Sequence, residues 1–152
     1  MRYTEAHPRP PCSSASYPAR AKLNLFLHEL ARGADGYHEL QTVFRFLDMG
    51  DRLDIRVRAD GDIVRANAIE GLPPETDLCI RAARLLRSRT GTPLGAEIRL
   101  DKRLPMGGGL GAGSSDAATV LIALNRLWGL DLTRDQLMAI ALELGADVPV
   151  FV

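Results

Sequence analysis

The chain has 152 residues, enough for one domain with a real core. Its 19 Lys and Arg balance 19 Asp and Glu, so nothing in the overall charge suits a polyanion, and nucleic acid is not an expected partner. Cys12 and Cys79 stand far apart without metal or disulfide spacing, and no apolar run approaches the ~18 residues of a membrane span or resembles a secretory signal. Two reduced thiols in a cytoplasm, with no membrane contact, are therefore expected.

Met1 to Pro18 carries four prolines and three serines and little that is apolar, which predicts a disordered tail over 1–18 ahead of a domain over 19–152. From Arg20 the pattern changes. Leu23, Leu25 and Leu27 alternate with Lys22, Asn24 and Phe26, the period of a strand, with Lys22 and Asn24 pointing away from a leucine face. Gly33 to Gly36 reads as a turn, and a second strand is expected from about Glu39 to Leu47. Leu53 to Val57 alternates again, Asp60-Gly61-Asp62 makes a hairpin-type turn, and Ile63 to Ala66 returns.

Gly71-Leu72-Pro73-Pro74 precedes a helix from about Thr76 to Arg89, capped by Thr76 or Asp77 and carrying Arg81, Arg84, Arg87 and Arg89 on a solvated face. Gly95 to Asp101 is a strand. A glycine-rich stretch and a helix to about Trp128 follow it. Thr133 with Gln136 makes a capping box for a last helix, ended by Gly145 as its C′ residue, and Pro149 to Val152 reads as the start of a strand. Strands come early and helices late, which argues for an α+β fold rather than a doubly wound sheet.

The most informative stretch is Leu104 to Asp116. Five of the seven residues from Gly107 to Gly113 are glycines, so the backbone can take positive φ repeatedly and leave its N–H groups unscreened. Turned inward beside the start of a helix, such N–H groups form an anion cradle. Ser114 and Ser115 could cap that helix, but Ala117 and Ala118 supply no Glu or Gln to close a capping box, which leaves backbone donors free for a ligand. No Lys follows the glycines as a Walker A loop requires. A dinucleotide fingerprint fails as well, because Lys102 to Pro105 separate the loop from its strand and no second strand ending in an acid follows.

Four stretches occur in one order: Arg20-Ala21-Lys22-Leu23-Asn24-Leu25-Phe26-Leu27, Ala34-Asp35-Gly36-Tyr37-His38, Leu104 to Asp116, and Leu144-Gly145-Ala146-Asp147-Val148-Pro149. Together they resemble the 4-diphosphocytidyl-2-C-methyl-D-erythritol kinases of the GHMP superfamily, over essentially everything after the tail. The resemblance implies the GHMP N-terminal domain, similar to ribosomal protein S5 domain 2, with a left-handed βαβ unit around the phosphate loop. It further implies ATP-dependent phosphorylation of the 2-hydroxyl of that cytidylyl substrate, a step of the non-mevalonate route to isoprenoid precursors, with Mg²⁺ arriving on ATP.

Residue by residue, the resemblance assigns Asp147 as catalytic base and Lys22 as catalytic lysine. Without it, Asp147 reads as a polar residue solvating a helix-to-strand turn and Lys22 as an exposed strand lysine. Asn24, Tyr37 and His38 match substrate-binding positions, the last two at the cytidine end, where a ring can stack and an imidazole can bond a pyrimidine edge. Pro105, Met106, Gly107, Gly108, Gly109, Leu110, Gly111, Ala112, Gly113, Ser114 and Ser115 match the nucleotide loop. Lys102 is expected to be solvated, and no His, Cys or carboxylate cluster suggests a protein-bound metal.

Three departures stand out. Arg20 replaces a proline before Ala21-Lys22, Asp77 stands where members often carry an asparagine near adenine, and the family's second domain does not follow Val152. The 152 residues alone are therefore expected to bind ATP weakly, to turn nothing over, and to self-associate, as a homodimer through the C-terminal strand. A non-catalytic nucleotide-binding fragment and a GHMP kinase for another alcohol are the rival readings.

Overall fold

The computed structural model describes the backbone of residues 14–32 and 38–152 and the side chains of 14–26 and 42–152. The tail as far as residue 13, the 33–36 turn, Tyr37 and the side chain of His38 lie outside the described residues. Strands β1 (Ser14–Arg32), β2 (His38–Arg58), β3 (Ile63–Arg65) and β4 (Gly95–Asp101) form one sheet in the order β1-β2-β4-β3. Helices α1 (Leu78–Thr90), α2 (Ala112–Leu127) and α3 (Arg134–Leu144) and a 3₁₀ turn (Val148–Phe151) complete the chain.

The sheet has one buried face. Leu53 and Ile55 of β2 with Ala96, Ile98 and Leu100 of β4 point into the core, where α1 supplies Ile80, Ala83 and Leu86 and α2 supplies Val120, Leu121 and Leu124. Fully burying a Leu or Ile side chain contributes about 1.5–3 kcal/mol, so this layer of aliphatics holds sheet and helices together. Trp128 closes one end, its buried indole N–H donating to the Gly95 carbonyl at 3.2 Å. The other face of the sheet carries charge, including Arg56 paired with Glu97 at 3.0 Å. The result is the α+β arrangement expected from the order of elements.

Several expectations need correction. The segments predicted as separate strands over 39–47 and 53–57 are one strand, because β1 lies so close over Gly50 that a Cβ there would collide with the Ala19 carbonyl. Glycine at 50 marks a close backbone approach, not a break. Strand β1 already begins at Ser14, inside the segment expected to be tail, and Ser16 Oγ accepts from Arg52 Nε at 2.8 Å.

Residues 63–65 do not return along β2. They lie parallel to β4, which inserts between β2 and β3 after the α1 crossover. The leucine face of β1 is also inverted. Ala19 and Ala21 point inward, an irregularity between Arg20 and Lys22 then shifts the register, and the inward face passes to Lys22 while Leu25 is 59% exposed.

Helix α2 begins without a side-chain cap. Gly111 at φ +66° is the N-cap, no side chain bonds the helix end, and Ser114 and Ser115 lie within the first turn. By contrast α3 has the capping box expected of it, Gln136 N donating to Thr133 Oγ1 at 3.3 Å and Thr133 N to Gln136 Oε1 at 2.9 Å. Gly145 leaves α3 in extended backbone rather than a left-handed C′ conformation.

Pro149 to Val152 is not the start of a strand. Pro149 stands in the first turn of the 3₁₀ segment, where its fixed φ suits a helical turn, and Val148 is buried in the core. The open strand edge through which self-association was expected is therefore not formed by these residues.

Candidate active site

The glycine stretch leaves β4 through Lys102 to Leu104 and enters α2 at Ala112, with positive φ at Gly107 (+75°), Gly109 (+71°) and Gly111 (+66°). A Cβ at Gly107 or Gly109 would meet nothing within 4 Å, so this backbone faces open space. That space is a cavity of about 340 Å³ lined by Met106 to Ser114 on one side and by Asp77, Leu78, Lys102 and Asp116 on the other. A helix start without a side-chain cap, preceded by left-handed glycines beside a cavity, leaves N–H donors to an anionic ligand.

Strand β1 is bonded to the end of this loop, Lys22 N donating to the Leu110 carbonyl at 2.9 Å. The Lys22 stem lies against Gly111, where a Cβ would come within 3.1 Å of both Cγ and Cε and within 2.9 Å of Phe151 Cζ. From there Lys22 Nζ reaches Asn24 Oδ1 at 3.2 Å and Asp147 Oδ2 at 3.1 Å. The lysine side chain is only 6% exposed and the aspartate 56%, so the pair presents a carboxylate at the surface backed by a buried ammonium. Asp147 heads the 3₁₀ turn, its carbonyl accepting from Val150 N at 3.2 Å.

Across the loop lies a second lysine cluster. Lys102, expected to be solvated, is largely buried and donates to Asp51 Oδ2 and, at 2.9 Å, to Asp116 Oδ2. Asp51 Oδ1 accepts from Arg103 N at 2.6 Å and Leu104 N at 2.8 Å. Burial pushes the Asp116 carboxyl up to about 7 against the pull of Lys102, with Asp51 adding to the rise. Burial also works against the Lys102 charge, yet its bonds to Asp51 and Asp116 hold its pKa above the ordinary lysine value. Asp116 Oδ1 is buried and has no hydrogen-bond partner among the described residues.

Asp77 caps α1, accepting from Cys79 N at 2.8 Å, and its other oxygen pairs with the buried Arg65 at 3.0 Å. Both oxygens are thus engaged by the fold. Burial, followed by the charge of Asp77, pushes the Cys79 thiol well up, which leaves it an inert core group.

Of the residues singled out in the sequence, Lys22, Asn24 and Asp147 meet at one point beside the residues of the 105–115 loop. Asp51 and Asp116 were not singled out, although a signal existed. Asp51 shares the parity of Leu53 and Ile55, and Asp116 shares the helical stripe of Val120 and Leu124, so each is an acid on an apolar face.

Residues 77–152 match the family described as GHMP kinases N terminal domain. A 4-diphosphocytidyl-2-C-methyl-D-erythritol kinase of Chromobacterium violaceum is 64% identical over 137 residues, 90% of this chain and 48% of that protein. The kinase of the same name from Cupriavidus taiwanensis is 61% identical over 147 residues, 97% of this chain and 50% of the relative. Among solved structures, a 4-(cytidine 5'-diphospho)-2C-methyl-D-erythritol kinase superposes with a TM-score of 0.76 at 42% identity, covering 90% of this chain and 48% of that one. The chain spans about half the length of the curated relatives it matches.

Proposed function

Because the chain belongs to the GHMP kinases, whose N-terminal domain it carries, we propose that it binds ATP in the glycine cradle and forms one wall of a small-molecule kinase site. The reaction is transfer of the γ-phosphoryl group to the 2-hydroxyl of 4-diphosphocytidyl-2-C-methyl-D-erythritol, the substrate in the names of the 64% and 61% identical relatives. The observation that carries this reading is the Lys22–Asp147 pair, 3.1 Å apart at the end of a glycine loop that lines a cavity.

Phosphoryl transfer asks mainly for positioning and charge stabilisation, with one group to take or orient the hydroxyl proton. Asp147, the exposed member of the pair, receives that proton as the substrate oxygen bonds to the γ-phosphorus and the bond to the bridging β–γ oxygen breaks, releasing ADP. Lys22 keeps its charge buried beside the carboxylate and acts on the negative charge of the reacting oxygens, where low solvation strengthens it. Asn24 holds the lysine and contributes a polar group for the substrate, while Tyr37 and His38 are assigned to the cytidine end. Mg²⁺ on the nucleotide neutralises phosphate charge. Among the described residues no group of three or more His, Cys, Asp or Glu side chains is arranged to hold a metal ion. Free metabolites as substrates suit a cytoplasmic protein, and no helix among the described residues is long and apolar enough to cross a membrane.

The test has two arms. Calorimetry of the 152 residues with a non-hydrolysable ATP analogue and Mg²⁺ should show binding. A coupled ADP-release assay on the chain joined to the C-terminal half of the Chromobacterium violaceum relative should show turnover with the cytidylyl alcohol and none with mevalonate or homoserine. Turnover of either of the latter at a comparable rate would overturn the substrate assignment.

A further inference from the structure

Asp51 takes no part in the chemistry above, yet it sits fully buried on the core face of β2 with both oxygens engaged. A buried carboxylate is retained only where its partners compensate for lost hydration. Its partners are three consecutive residues: Lys102 through the ammonium, and Arg103 and Leu104 through backbone N–H groups at 2.6 and 2.8 Å. These residues are the root of the glycine loop. The β2–β4 ladder ends at the pair Arg52 and Asp101, so Asp51 extends the grip of β2 past the last ladder pair and onto the segment that launches the loop.

The same ammonium then donates to Asp116 at 2.9 Å on α2, the helix that the loop enters. Entry and exit of the loop are joined through one cation. Lys22 N provides a separate tie at Leu110. Between these ties the loop makes a turn at residues 106–107, and a Cβ added at Gly107 or Gly109 would meet nothing within 4 Å, so no other element packs on the loop at those two positions.

We infer that Asp51 is a positioning residue for nucleotide binding: by gripping Lys102, Arg103 and Leu104 it sets the direction in which the loop presents its N–H groups to the phosphates. The inference rests on the reading that this loop binds ATP. Asp51 touches no nucleotide on this account and acts through the loop root alone. A merely structural role would cost stability without selecting the loop.

The experiment compares the 152-residue chain with Asp51→Asn, which keeps an acceptor for the two backbone N–H groups but sets an amide donor against the Lys102 ammonium. Binding of a non-hydrolysable ATP analogue with Mg²⁺ is read by calorimetry, and amide hydrogen exchange is read without nucleotide. The expected result is an affinity loss of about tenfold or more, the usual scale for removing a supporting partner, with faster exchange confined to residues 103–113 and none in α3. Wild-type affinity in a variant with a lowered melting point overturns the inference, and so does exchange that rises uniformly. If the wild-type chain itself binds no analogue, the ATP reading falls and the inference with it; if wild type binds and the variant binds equally, only the inference falls. Should Asp51→Asn fail to fold, Asp51→Glu decides by the same outcomes, since it retains the charge and displaces the grip by one methylene.

Discussion

Two lysine–aspartate clusters flank the glycine loop, and they differ in how far the acids are open to solvent. At one end, Lys22 is buried but Asp147 is more than half exposed, with a single 3.1 Å contact between them. At the other, Lys102, Asp51 and Asp116 are all withdrawn from solvent, and the lysine is shared by two acids. An exposed carboxylate backed by a buried cation can exchange a proton with a bound alcohol. In the closed cluster Lys102 and Asp116 line the cavity, but the ammonium is held between two acids, and the bonds of Asp51 run to the backbone at the loop root. Proximity of Lys to Asp is therefore a poor guide to catalysis. The accessibility of the acid is the better one.

The sharpest break of this comparison is at the open pair. Asp147→Asn and Lys22→Ala, made in the chain joined to a relative's C-terminal half, should lower turnover ~10²–10⁴-fold, the usual scale for losing a general base or its partner. Circular dichroism should stay unchanged for Asp147→Asn, because that side chain is more than half exposed. Lys22→Ala opens space beside Gly111 and should lower the melting point without unfolding the chain. More than about a tenth of the activity remaining would return Asp147 to the role of a solvated turn residue.

The cradle between the clusters comes next. Gly109→Val places a β-branched side chain at φ +71°, where the added Cβ meets open space and not the core. Calorimetric affinity for the ATP analogue should fall by about one to two orders of magnitude, far more than the fold weakens. An unchanged affinity would mean that the phosphates lie elsewhere.

Gly111→Ala tests the join between loop and lysine. Its Cβ would come within 2.9 Å of Phe151 and 3.1 Å of Lys22 at φ +66°, so the ring and the lysine stem must give way and the backbone strain of about 1–2 kcal/mol stays. The expected outcome is a fall in kcat of about tenfold, because reacting groups displaced by a fraction of an ångström lose orientation. The KM for the alcohol should move less. A variant with full kcat would show that Lys22 does not depend on this contact.

Much of this arrangement is legible in the sequence for local reasons, and what is missed is missed for non-local ones. The glycines, the helix after them and the Thr133–Gln136 box follow from residue types within a few positions of one another. Alternation along β1 shows two faces but not which one meets the core. The irregularity after Arg20 then exchanges them, which buries Lys22 and exposes Leu25. Ile63 to Ala66 looks like the return of a hairpin because nothing in its neighbourhood announces that β4, some thirty residues later, will take the place beside β2. Pro149-Val150-Phe151-Val152 has strand-forming residues, but Pro149 in a first turn and the burial of Val148 favour a 3₁₀ turn. That turn brings Asp147 to Lys22. Asp51 and Asp116 were legible in principle, as acids on otherwise apolar faces, but their shared partner Lys102 is visible only once the sheet is formed.

The smallest effect belongs to the closed cluster, and it has a definite sign. Asp116 keeps its proton in the folded chain to about pH 7 because burial outweighs the attraction of Lys102, whereas its ordinary value is 3.8. Between those values the folded state binds more protons than the unfolded one, so the stability contributed by the protonated acid is complete below about pH 4 and declines as pH rises to about 7. Above that the loss is complete and the profile from this group is flat. Asp116→Asn carries no titrating proton and matches the protonated acid in size. The difference in melting temperature, variant minus wild type, should therefore grow from pH 4.5 to pH 7.5 and then level off. A few degrees is the expected scale, since ~1 kcal/mol moves the melting point of a domain of this size by about 2–4 °C. Thermal scans in buffers matched for ionic strength provide the measurement. A difference that widens toward acid instead would mean that Asp116 stays ionised against Lys102 and that their ion pair, not burial, sets its titration.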